Sequence, residues 1–66
     1  MKFCENLKKE LEQHKLSQEK FAEKLFTTQA TISRWLSGVN EPDLETLLKI
    51  CEILECSPNE LLGWRE

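Results

Sequence analysis

Gln29, Ala30, Ser33 and Arg34 are the residues of this 66-residue chain whose types best suit a specific chemistry. On the base edges of a DNA major groove, Gln pairs bidentately with adenine and Arg with guanine. Ala fits a thymine methyl, and Ser is a weak, ambiguous reader. From Leu25 to Asn40 there is no acid, and Arg34 is the one charged residue. Neutral hydrogen-bonding residues suited to phosphate oxygens stand nearby: Ser17, Gln18, Thr28, Ser37 and Asn40. Gln18 sits where a helix N-terminus would turn backbone N–H groups and its positive dipole end toward an anion. The plainer reading is that all of these are solvated helix residues and, for Ser17 and Thr28, caps. Capping and phosphate binding are compatible.

Such residues work only if helices hold them in register. Residues 17–38, SQEKFAEKLFTTQATISRWLSG, contain two short amphipathic patterns about four residues apart. The first begins after Ser17, a strong N-cap supported by Glu19, and buries Phe21, Ala22 and Leu25. The second starts after Thr28, another good N-cap, and turns Ile32 and Trp35 inward. Small Ala22 marks the close approach of two crossing helices. This is the pattern of a helix-turn-helix, ended by Gly38, which suits a left-handed cap.

The flanking segments complete an all-helical chain. A first helix is predicted from about Lys2 to His14, with Phe3, Leu7 and Leu11 on one face. A fourth follows the N-cap Asp43, its Leu44, Leu47, Leu48, Cys51 and Leu54 forming a broad buried stripe. Ser57-Pro58-Asn59-Glu60 reads as a capping box with Pro at N1. It opens a short fifth helix that contains Leu61 and Leu62 and stops at Gly63. Two Gly, two Pro and few β-branched residues fit helix better than sheet. Residues 1–66 are expected to form a single domain with no repeat or linker. At this size only about 60% of the unfolded surface is buried, so stability is modest.

Other functions find little support. No apolar run approaches the roughly 18 residues that span a membrane, and MKFCENLKKELEQ lacks the apolar core of a signal peptide, so a cytoplasmic location is expected. Three cysteines, Cys4, Cys51 and Cys56, with the single His14, give neither a disulfide framework nor metal-ligand spacing; they read as free thiols acting as small hydrophobes. No nucleophile, acid–base pair or Gly-rich phosphate loop emerges, so neither an enzyme nor a cofactor is expected. The net charge of −3 argues against nucleic acid until it is divided. Residues 1–40 carry seven Lys/Arg and five acids; residues 41–66 carry two and seven. Glu19 and Glu23 alternate with Lys20 and Lys24 as a solvated, salt-bridging surface.

The chain as a whole resembles the phage repressor and Cro type of helix-turn-helix protein, the XRE family. Leu16-Ser17-Gln18-Glu19 opens the motif, and Ala22, Leu25, Ile32 and Trp35 occupy its core positions. PDLETLLKICEIL (42–54) and SPNELL (57–62) are similar to the family's fourth and fifth helices. The resemblance implies a five-helix, lambda-repressor-like fold. It places Gln29, Ala30, Ser33 and Arg34 in the major groove. Three features depart from the pattern. Lys15 and Phe26 stand where the family usually has Gly. Leu11 and Leu36 replace a helix-one Arg and helix-three Glu that pair in many members, an exchange that removes the desolvation cost of two charges. The loop after helix three, Val39-Asn40-Glu41, lacks the usual Lys or Arg.

Residues and resemblance together lead to the expectation of a double-stranded DNA-binding repressor, acting as a homodimer on a palindromic operator with one recognition helix per half-site. Pro58, Leu61 and Trp64, with Ile50 or Ile53 from helix four, offer a dimer surface. Two alternatives stand beside it: an antitoxin with a toxin partner, and a protein-interaction module that kept the fold without DNA binding.

Overall fold

Small polar caps start four of the five helices. The computed structural model describes residues 3–63, which form α1 (Phe3–Gln13), α2 (Gln18–Lys24), α3 (Gln29–Leu36), α4 (Leu44–Leu54) and α5 (Pro58–Leu62), with no strand among the described residues. Ser17 Oγ accepts the Lys20 N–H at 3.1 Å, and Thr28 Oγ1 accepts that of Thr31 at 3.3 Å. Asp43 Oδ1 accepts from Thr46 at 2.8 Å, and Ser57 Oγ from Glu60 at 3.2 Å. Each satisfies one donor that the helix geometry leaves free. The bonds to Thr46 also hold the Asp43 carboxyl below the usual carboxylate range.

The helix ends share one device. In each of the first four, an N–H bonds back five residues: Leu16 to Leu11, Thr27 to Ala22, Val39 to Arg34 and Cys56 to Cys51, at 2.9 to 3.1 Å. This is the Schellman arrangement, and it requires a left-handed residue just before the donor. Those residues are Lys15 (φ 55°), Phe26 (56°), Gly38 (80°) and Glu55 (52°). Only Gly38 adopts that conformation without strain; each of the other three costs about 1 kcal/mol.

The core gathers Phe3, Leu7 and Leu11 of α1, Phe21 and Ala22 of α2, and Ile32, Trp35 and Leu36 of α3. Leu47, Ile50, Cys51 and Leu54 of α4 and Leu61 of α5 complete it. No polar or charged side chain is buried among the described residues. α2 packs most closely on α3, and α1 bridges α3 and α5, where Asn6 Nδ2 donates to the Leu61 carbonyl at 3.0 Å. Leu11 and Leu36 are both buried and border one cleft, as an apolar substitute for an ion pair requires.

The structure corrects two expectations. The buried stripe of α4 is rotated: Leu44 and Leu48 are 72% and 48% exposed, while Ile50, expected on the outer side, is fully buried. At about 100° per residue, Leu48 lies roughly 160° from Ile50 around the helix, so both could not face one core. Leu61 is also fully buried. It belongs to the core and cannot form part of a dimer surface. Of that expected surface, Pro58 and Ile53 are half-buried, and Trp64 lies outside the described residues.

Candidate nucleic-acid interface

α3 separates its two faces by residue type. Ile32, Trp35 and Leu36 are buried, whereas Gln29, Ala30, Ser33 and Arg34 are all exposed. Gln29 and Ser33 are four residues apart, as are Ala30 and Arg34, so the four share one outward stripe. Its width is set by Ile32 and Trp35, whose burial against α2 and α1 fixes the rotation of the helix. The first turn of α3 carries no acid.

The expected phosphate contacts divide on hydroxyl bookkeeping. Ser17 Oγ accepts its cap bond, which leaves its O–H free to donate to an anion. Thr28 Oγ1 accepts from the Thr31 N–H and lies 3.0 Å from Thr31 Oγ1, either of which can donate. When Thr31 donates, the Thr28 proton is free. Ser37 is committed elsewhere: its Oγ donates to the Arg34 carbonyl at 3.1 Å, so reaching a phosphate would break that bond. Asn40 is exposed in the loop after α3. It shares a cleft with Glu41, a charge that opposes phosphate.

Gln18 is half-buried and lines an open cleft of about 480 Å3 with Ser17, Leu16, Lys8, Glu12 and Lys15. Sequence reasoning missed the two lysines. Lys8 lies on α1, and Lys15 is the left-handed residue of the turn that follows it. The turn at Lys15 brings both lysines, with Glu12 between them in sequence, to the cleft that Ser17 and Gln18 line. No spacing in the sequence signals this, because the proximity to Gln18 depends on the turn.

The cysteines do not contribute to this face. All three are free thiols, and no group of three metal-ligating side chains occurs among the described residues. Cys51 and Cys56 fill the two Schellman positions that normally hold an apolar pair. Burial pushes both thiols up, Cys56 to about 12, with the neighbouring Cys51 and Glu10 adding to the effect. Protonated at neutral pH, they behave as inert packing groups.

A helix-turn-helix family model of the HTH_3 type matches residues 7–61. The chain belongs to that helix-turn-helix family. Similar proteins include an uncharacterised HTH-type transcriptional regulator, YqaE, of Bacillus subtilis (strain 168), 43% identical over 60 residues, which are 91% of this chain and 52% of that protein. The HTH-type transcriptional activator BcrR of Enterococcus faecalis is 35% identical over 66 residues, all of this chain and 32% of its own length. The chain thus spans about half or less of these curated relatives. No solved structure gives a significant match. No described helix is long and apolar enough to cross a membrane.

Proposed function

We propose that the protein is a sequence-specific double-stranded DNA-binding regulator of transcription that docks α3 in the major groove. The observation that carries this reading is the exposed stripe of Gln29, Ala30, Ser33 and Arg34 on the second helix of a helix-turn-helix. Arg34 and Gln29 supply bidentate base contacts. Ser17, Gln18 and Thr28, helped by Lys8 and Lys15, position the backbone. The names of both relatives, a transcriptional regulator and a transcriptional activator, support the regulatory role. Repression results where the operator overlaps a promoter.

A homodimer on a palindromic operator is part of the proposal, because one unit with so few cations makes few phosphate contacts. Pro58, Ile53 and Trp64 remain the candidate contacts. Sedimentation with a palindromic duplex checks this: a protein that stays monomeric at saturation excludes the dimer.

Selection of bound duplexes from a random pool, followed by a salt titration on the winner, tests the main reading. A recovered consensus and an affinity that falls steeply with salt are expected. Absence of binding at low salt would favour the interaction-module alternative, to which the net charge of −3 lends support.

A further inference from the structure

The outward face of α4 takes no part in the proposed DNA docking. Leu44 and Leu48, one turn apart, are its exposed apolar residues. Half-buried Pro42 and Leu62 border a cleft of about 230 Å3 that Leu44 lines together with Phe3 and Glu41. Exposed Glu45 and Glu52 lie beside the two leucines on α4, at three and four residues from Leu48. The one basic residue of α4, Lys49, lines a different cleft, with Leu25, Phe26 and Ile53. An apolar strip bordered by Glu41, Glu45 and Glu52, with Lys49 the single cation beside them, is therefore displayed to solvent.

We propose that this face docks a cationic amphipathic helix of another protein, with apolar residues at i and i+4 seated on Leu44, Leu48 and Leu62 and Lys or Arg side chains against the flanking glutamates. Charge selects this occupant over a second copy of the chain. A two-fold axis through the strip would bring two glutamate-bordered faces together, a costly juxtaposition of like charges. Size agrees. A stable interface between globular partners takes about 800 Å2 from each, roughly a sixth of the 4871 Å2 that this small protein exposes. Two leucines and parts of two more residues cover far less, which suits one short helix laid in a groove. Phe3 and Glu41 also line the adjoining cleft of Val39 and Asn40, so the docked helix lies against the loop that follows α3. Docking at α4 does not depend on DNA binding by α3.

The test uses a fluorescein-labelled helical peptide with leucines at i and i+4 and lysines elsewhere, and a twin in which every lysine is glutamate. Binding to the whole protein is followed by anisotropy at low and at moderate salt. The lysine peptide is expected to bind. Its Kd should rise at least about tenfold with Leu44→Ser/Leu48→Ser and with Glu45→Lys/Glu52→Lys, and should also rise with salt. Equal binding of the glutamate twin, or unchanged binding to Leu44→Ser/Leu48→Ser, would overturn the proposal, the latter reducing it to general charge attraction. A self-associating parent that becomes monomeric in that double variant would assign the face to a second copy. A lowered melting temperature in that variant would assign it to the chain's own residues after Gly63. Duplex binding, measured separately, should be the same for parent and Leu44→Ser/Leu48→Ser.

Discussion

α3 and α4 pose the same problem to a reader of sequence and answer it differently. In α3, outward residues are polar or small and inward ones are Ile32, Trp35 and Leu36, so residue type alone fixes the rotation. In α4, Leu44, Leu47, Leu48, Ile50, Cys51, Ile53 and Leu54 spread over about 220° of the circumference, wider than one core contact. Hydrophobicity cannot then choose a face; the packing of the other helices does. The difference teaches that an apolar arc wider than its core contact leaves the choice of buried residues to packing. The charge divides in parallel, with no acid from Leu25 to Asn40 and a glutamate-rich stretch in and around α4.

The sharpest way to break this comparison is within α4. Ile50→Ala should cost about 2–5 kcal/mol by leaving a cavity in the core, while Leu44→Ser should stay within about 0.5 kcal/mol of the parent. Urea melts of the two variants check it, and equal losses would abolish the distinction between the faces. The contact of α1 with α3 comes next. Leu36→Glu should destabilise by about 2–4 kcal/mol, because it buries an unpaired charge. The neighbouring open cleft, lined by Lys8, Glu12 and Lys15, gives the new carboxylate partial access to water and keeps the figure from being larger. Adding Leu11→Arg should recover much of the loss. A Leu36→Glu protein that melts like its parent would show the site to be exposed.

The turn between α2 and α3 should respond in the opposite direction. Phe26 is 96% exposed and left-handed, so Phe26→Gly gives up little packing and relieves about 1 kcal/mol of backbone strain. A raised melting temperature is expected. The last effect belongs to the thiols and is absent at neutral pH. In the unfolded chain Cys56 ionises near its ordinary 9.0; in the folded protein it keeps its proton to about 12. Between those values the unfolded state binds fewer protons, so stability falls as pH rises through that window. Cys56→Ala should flatten this decline in alkaline urea melts.

Much of the fold is legible in the sequence because its signals are local. Ser17, Thr28, Asp43 and Ser57 cap their helices as their types and positions predict. α3 begins and ends where the sequence puts it, at Gln29 and Leu36. The left-handed turns at Lys15 and Phe26 are the positions where the resembling family carries Gly. The one at Glu55 had no such signal, since Glu announces nothing about φ. The face of α4 and the burial of Leu61 escaped because both depend on distant partners, and a five-residue α5 is too short for periodicity to orient it. At the candidate site, outward α3 was readable from residue type. The approach of Lys8 and Lys15 to Gln18 was not, because a turn creates it.

The central claim is that α3 reads bases while the start of α2 only positions the backbone. Measuring the affinity of the parent, Arg34→Ala and Gln18→Ala for a full set of single-base variants of the selected duplex tests it most directly. Arg34→Ala should lose about 1–3 kcal/mol on the preferred site and lose its preference at one base pair. Gln18→Ala should weaken every duplex alike and keep the base preferences. An Arg34→Ala protein with unchanged affinity and unchanged preference at every position would contradict the docking.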